Sequence, residues 1–291
     1  MSGENAKTGL RIVAFHNLQP AYRIAAAWAE RMGHTLSLVV TTPGPSTRRT
    51  TLYRAILATA PPEQDVLVTT RLRRVALPLI EALAPDLILS FTFPYRLPPE
   101  ILAIPRIAAV NLHPTPLPRY RGPNPMRMIY DGAPMLGATL HYLDNDFDTG
   151  AILSQAEGPM PETLSTETVF GAWGPLMMRA LSEGMERAIA GDPGRPQNHA
   201  LATDSPEFSE EERWLDWGLP SATLYHRAAG LNIVGAAKGM IDGQAYRIQR
   251  LEPVTDATPA TPGAIVDRSD ETLIIAVADG AVRVTATPIS D

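Results

Sequence analysis

The chain contains no cysteine. Disulfides, thiolate metal sites and a cysteine nucleophile are therefore excluded, while the redox compartment stays open. Long apolar runs are also missing. None approaches the about 18 residues that a membrane-spanning helix needs, and the opening "MSGENAKTGLRIV" lacks the apolar stretch of a secretory signal. A soluble, cytoplasmic protein is expected, with no membrane partner. Lysine is nearly absent: Lys7 and Lys238 stand among 25 basic residues, so the positive charge is carried by arginine. No internal repeat and no low-complexity tract interrupts the pattern.

What is present is ordinary for a globular enzyme: 291 residues, 45% of them hydrophobic and 19% charged. That length suits one large domain or two modest ones. The charge is unevenly spread. Residues 1–204 hold 18 Lys/Arg against 18 Asp/Glu, whereas residues 205–291 hold 7 against 13, so the whole net charge of −6 lies in the last part. An acidic module with few cations is a poor binder of a phosphate backbone, since that affinity rests on Lys and Arg contacts.

"LRIVAF" (10–15), "TLSLVVTT" (35–42), "QDVLVTT" (64–70), "DLILSF" (86–91) and "AAVNLH" (108–113) are short apolar runs rich in β-branched residues. Between them the spacing predicts helices over 21–34, 52–59 and 73–84, the first with Ile24, Trp28 and Met32 on one face and Gly33 at its end. Strands alternating with helices predict βαβ units in an open, mostly parallel sheet. A further strand is expected over 137–146 and a long helix over 166–192, kinked near Gly174-Pro175. Residues 194–213 read as a polar linker. After a helix near 220–230, short strands with turn signals, Asp279-Gly280 among them, predict a small barrel or sandwich. The division expected is 1–203 and 204–291.

The chemistry-bearing stretch is "AVNLHPTPLPRYRGPNP" (109–125). On a strand, residues i and i+2 share a face, so Asn111 and His113 point together while Leu112 points away. They stand at the carboxyl end of a parallel strand, where open α/β sheets build their sites. Asp148, in "DNDFDTGAIL", follows another strand end. An Asn, a His and an Asp without a serine or cysteine nucleophile suit acyl transfer to an incoming amine. The amide donates to a developing oxyanion, the imidazole donates or carries a proton, and the carboxylate orients it or moves a proton through water. On residue types alone, a turn Asn and a satisfied core His explain the stretch equally well.

"NLHPTPLPRYRG" resembles the N-[LI]-H-x-S-L-L-P-x-[YWF]-R-G segment of the 10-formyltetrahydrofolate-dependent formyltransferases, and "GATLHYLDNDFDTGAIL" resembles their second segment, at the same spacing. The resemblance implies a Rossmann-like catalytic domain with Asn111, His113 and Asp148 as its catalytic residues, 10-formyltetrahydrofolate as co-substrate and no metal. "APDLILSFTFPYRLPPEIL" resembles the family's folate-side loop, which places the pterin near Phe93, Tyr95, Arg96, Leu97, Leu143, Asp144 and Asp146. The stretch from "PQ" (196–197) to "AYRI" (245–248) is similar to the OB-like domain appended to methionyl-tRNA formyltransferase.

Departures from the family bear on the acceptor. Thr115-Pro116 stands where Ser-Leu is usual, and "FHNLQPAYR" replaces a glycine-containing turn, so that His16 and Asn17 add polar side chains. Those two either contact the acceptor or merely end the strand; with Thr115 and Arg121 they are the candidate acceptor contacts. The loop "TTPGPSTRRTT" carries Arg48 and Arg49 as its only charges. With the acidic C-terminal part, this favours a small amine (an amino sugar, amino acid or specialised metabolite) over methionyl-tRNA. Methionyl-tRNA formylation, 10-formyltetrahydrofolate hydrolysis, formimidoyl transfer and a non-catalytic binding module are the alternatives.

Overall fold

In the computed structural model, residues 9–44, 51–235, 237–254, 260–269 and 272–289 are described. Arg48 and Arg49 lie outside the described residues. Seven strands form the first sheet: β1 (Arg11–His16), β2 (Thr35–Thr41), β3 (Val66–Val68), β4 (Leu87–Phe91), β5 (Ala108–His113), β6 (Met135–Tyr142) and β7 (Ile152–Pro159), in the order β3-β2-β1-β4-β5-β6-β7. The pairs β1–β2, β2–β3, β1–β4 and β4–β5 are parallel. The order reverses between β1 and β4, the switch point at whose carboxyl edge such sheets leave a crevice.

The expected α/β architecture is therefore present, with differences that have local causes. The strand expected over 137–146 ends at Tyr142 and runs antiparallel to β5. Strand β7 was not foreseen. Helix α1 (Gln19–Arg31) buries Ala21, Tyr22, Ala25, Trp28 and Ala29, so that of the Ile24-Trp28-Met32 stripe Trp28 alone is buried. Its small residues let it approach closely, and Met32, beyond the last turn, is 41% exposed. The helix expected over 73–84 is a π-turn at Leu72–Ala76 running into α3 (Leu77–Leu83), after α2 (Tyr53–Thr59). Pro78 has no N–H to give to the preceding turn, and Leu77 N–H reaches back to Leu72 O.

On one face of the sheet Val13, Phe15, Leu38, Val40, Ile80, Ile88, Phe93 and Ile101 form a buried cluster, the last from α4 (Pro99–Leu102). On the other, Tyr22, Val39 and Ile56 pack together. The chain continues through α5 (Arg127–Tyr130) and the long α6 (Thr166–Ile189), which keeps Pro175 within it. Among the described residues no helix is long and apolar enough to cross a membrane.

The chain divides into two compact units. One holds Met1–Pro123, Gly137–Glu157 and Trp173–Thr203; the other holds Asn124–Leu136, Gly158–Ala172 and Asp204–Asp291. The second unit contains α7 (Ser221–Ile233) and five antiparallel strands: β8 (Ala237–Ile241), β9 (Gln244–Val254), β10 (Ile265–Arg268), β11 (Leu273–Val277) and β12 (Gly280–Pro288). Asp242 and Gly243, with φ of 50° and 75°, make the β8–β9 hairpin turn, the double left-handed geometry that Asp-Gly favours. Within this unit Arg127 forks onto Glu212 at 2.5 and 2.7 Å and lies over the Phe208 ring at 4.6 Å.

The face assignment of α1 has a direct check. Trp28→Ala should lower the unfolding free energy by about 3–5 kcal/mol, while Met32→Ala should stay within about 0.5 kcal/mol, both read from urea denaturation.

Candidate active site

Asn111 and His113 leave β5 on one face, as the i, i+2 rule requires. Opposite them in the antiparallel register stand His141 and Thr139 of β6. Asp148 sits in the loop after β6 with a left-handed backbone, φ 57°; a short polar residue tolerates that region better than a branched one. Thus Asp148 meets Asn111 and His113 from a distant part of the sequence. Asp148 Oδ1 lies 3.4 Å from His113 Nδ1, accepts from Asn111 Nδ2 at 3.3 Å, and is 3.6 Å from His141 Nε2. Asp148 Oδ2 accepts from Gly122 N–H at 3.0 Å.

The hydrogen bonds settle the donors. Carbonyl oxygens only accept, so His113 Nε2, 3.0 Å from Tyr120 O, bears a hydrogen, and so does His141 Nδ1, 2.8 Å from Tyr142 O. His141 Nε2 lies 3.1 Å from Asn111 Nδ2 and 3.6 Å from Asp148 Oδ1, and it donates to the carboxylate when it carries a hydrogen. Asn111 gives one amide hydrogen to Asp148 Oδ1 at 3.3 Å. His113 faces an oxygen from each ring nitrogen, Tyr120 O from Nε2 and Asp148 Oδ1 from Nδ1.

Burial by itself raises the Asp148 carboxyl. It is overcome by His113, then by the hydrogen bond and charge of His141 and by the Gly122 N–H, which together hold the group well below the usual carboxylate range. A depressed native value contributes stability that is present above the unfolded value near about 3.9 and disappears as pH falls toward the native value.

Residues that sequence reasoning passed over complete the site. His141 could have been found from the strand "GATLHY", where it shares a face with Thr139. Gln197, in the segment read as linker, donates its Nε2 to Asp148 O at 2.9 Å and Gly150 O at 2.8 Å. No local signal marks it. Arg121 is held by Gln197 Oε1 at 2.5 Å. Thr115 is fully buried and donates to Arg119 O at 3.0 Å.

The other expected residues take two positions. Phe93 and Leu97 are buried in the cluster beneath the sheet, with Tyr95 and Leu143 packed against it. Arg96 reaches across to Asn145 O and Asp146 Oδ1, each at 3.1 Å, so the 93–97 and 143–148 loops meet. Asp144 accepts from Thr149 Oγ1 at 2.8 Å and shapes that loop. Beside Tyr95 and Arg96 opens a cavity of about 380 Å³ that is also lined by Arg71, Arg73 and Arg74. Arg73 pairs with Glu100 at 3.3 Å; Arg71 and Arg74 have no acidic partner among the described residues. His16 and Asn17, at the end of β1, are buried. Among the described residues no group of three His, Cys, Asp or Glu is disposed to hold a metal ion.

Gly150 is required by close approach: a Cβ there would stand 1.9 Å from Tyr142 O. Gly150→Ala should therefore cost about 3 kcal/mol, high for a single substitution, measured by chemical denaturation. Asp148→Asn should flatten the loss of stability below about pH 4, seen as a shallower fall of the thermal midpoint with acid than in the parent chain.

Known proteins share both halves of this architecture. The methionyl-tRNA formyltransferase of Enterococcus faecalis is 33% identical over 202 residues, 69% of this chain and 64% of the relative, so the match spans just under two-thirds of that protein. A crystal structure of HypX from Aquifex aeolicus with tetrahydrofolic acid superposes with a TM-score of 0.67 at 20% identity, covering 94% of this chain and 43% of that one. WlaRD, described as a sugar 3N-formyl transferase, superposes with a TM-score of 0.63 at 14% identity, covering 98% and 100%. Residues 15–173 match the formyl transferase model and residues 207–289 match the model of the formyl transferase C-terminal domain. The chain belongs to the formyl transferase family.

Proposed function

We propose that this chain transfers a formyl group from 10-formyltetrahydrofolate to the primary amine of a small molecule in the cytoplasm. Catalysis resides in residues 1–203, with 204–291 as an appended domain. The meeting of Asn111, His113 and Asp148 around one buried carboxylate carries the reading. When bound, the folate donor supplies an activated formyl group. The amine nitrogen bonds to the formyl carbon, the bond from that carbon to the donor nitrogen breaks, and the proton lost by the amine ends on the departing nitrogen. Asp148 is placed to orient His113 and to pass that proton on through water, and Asn111 and His113 carry the N–H groups that meet negative charge developing on the formyl oxygen.

The residues fit a folate. Its pterin is flat and apolar-faced, and Tyr95 and Leu143, half-buried over the cluster that holds Phe93 and Leu97, offer such a surface. Its glutamyl tail is anionic, and the adjoining cavity presents Arg71, Arg73, Arg74 and Arg96. The small acceptor is supported by charge: the C-terminal part is acidic and the chain is nearly free of lysine. The second reading, a methionyl-tRNA acceptor, is favoured by the activity named for the Enterococcus faecalis relative and by the match to the C-terminal family domain.

With formyl donor supplied, methionyl-tRNA and a panel of small amines should be compared by mass shift. Formylation of a small amine, rising with pH toward the amine's own pKa because only the free base attacks, is expected; exclusive formylation of methionyl-tRNA rejects the small-acceptor reading. His113→Ala and Asp148→Ala should each remove most turnover with the circular dichroism spectrum retained; a folded variant at full rate overturns the assignment. Arg74→Glu should raise KM for the donor about fivefold, the scale of one exposed ion pair, and leave KM for the amine unchanged.

A further inference from the structure

Asn111 stands in a row that crosses four strands. Register puts Phe15 of β1 beside Ser90 of β4, Ser90 beside Asn111 of β5, and Asn111 opposite His141 of β6. Laterally paired residues share a face of the sheet, so the Ser90 side chain stands on the Asn111 side. Their neighbours two residues earlier, Ile88 and Ala109, agree, since both belong to the cluster on that face. Ser90 is the one polar residue of β4, whose members are all buried. It is 5% exposed, close to His113 at 6% and Asp148 at 8%. Nothing among the described residues bonds its hydroxyl, whereas buried side-chain polar atoms in native proteins are mostly paired.

The Asn111 amide is turned to meet it. Asp148 Oδ1 only accepts, so the Asn111 atom 3.3 Å away is Nδ2, and that atom also lies 3.1 Å from His141 Nε2. His141 is on β6 and Asp148 follows that strand, on one side of β5; β4 lies on the other. Asn111 Oδ1 therefore points toward the β4 side, and it has no partner among the described residues. Neighbouring strands are about 4.8 Å apart. A nitrogen that gives two N–H bonds of about 2.9 Å at the tetrahedral angle joins oxygens about 4.7 Å apart. One NH2 group fits between two side-chain oxygens held at that spacing.

We propose that Ser90 Oγ and Asn111 Oδ1 each accept one N–H of the attacking primary amine, so that its lone pair is aimed at the formyl carbon. Ser90 is then a further catalytic residue, one that orients the nucleophile and exchanges no proton with it. The assignment rests on the formyl-transfer reading above. The lone pair forms the bond to the formyl carbon, the bond from that carbon to the donor nitrogen breaks, and the proton lost by the amine ends on that nitrogen. Asn111 gives one amide hydrogen to Asp148, and its second stays available to the formyl oxygen. A nucleophile with one N–H leaves one of the two oxygens unpaired and is disfavoured.

The test uses the whole chain and two small nucleophiles, hydroxylamine with two N–H and N-methylhydroxylamine with one. Binding of 5-formyltetrahydrofolate, followed by tryptophan fluorescence, is measured first; its failure defeats the formyl-transfer reading itself. With donor binding in hand, formylation by 10-formyltetrahydrofolate is read from the iron(III) colour of the hydroxamate formed. Hydroxylamine should react with the higher kcat/KM. Ser90→Ala should lower kcat/KM for hydroxylamine about tenfold, the scale of one buried hydrogen bond. With N-methylhydroxylamine its loss should stay below about threefold, and KM for the donor should not change. Ser90→Cys, which keeps the volume but offers only a weak acceptor, should show the same split, and it answers the question if Ser90→Ala does not fold. A parent chain that binds donor yet formylates neither nucleophile, a folded Ser90→Ala or Ser90→Cys chain at the parent rate, or equal losses with the two nucleophiles would each overturn the proposal.

Discussion

One buried carboxylate organises the carboxyl edge of the seven-stranded sheet. Asp148 is drawn into place by an imidazole, an amide and a backbone N–H, and its own backbone oxygen is tied to Gln197. The ties come from three segments: strand β5, which supplies both the imidazole and the amide, the loop that follows it, and the stretch beyond α6. Removing a negative charge from water is costly unless hydrogen bonds and opposite charge replace the lost hydration. The fold supplies that replacement, and in doing so brings together the groups an acyl transfer needs. Stability and chemistry therefore depend on the same contacts here.

The parallel core of the fold was legible because its signals are local. Apolar runs such as "LRIVAF" and "DLILSF" fall within one residue of β1 and β4, and the alternation along Asn111-Leu112-His113 gives the shared face directly. What was not legible depends on partners in space. The direction of β6 is set by its pairing with β5, and β7 by its place at the sheet edge. The buried face of α1 is chosen by the close fit of three alanines, which a search for large apolar residues overlooks.

The site divides along the same line. The motif residues were found because they stand in two short, dense segments. Gln197 escaped because a glutamine in a polar stretch carries no periodicity and no charge. His141 escaped because its strand was read for its end rather than for its face. Arg121, read as an acceptor contact, is engaged by Gln197 within the protein, and Thr115 spends its hydroxyl on neighbouring carbonyls.

The tie between Gln197 and the Asp148 loop bears on how the polypeptide can be cut. Tyr120 N–H donates to Thr203 Oγ1 at 2.9 Å and Arg121 N–H to Thr203 O at 2.8 Å, so the loop over the carboxylate is laced to the same late segment. A fragment trimmed at the last turn of α6 would retain every motif residue yet lose these anchors. Proteolytic nicking between residues 191 and 203 would thus loosen the loop around Asp148 without touching Asn111, His113 or Asp148 itself.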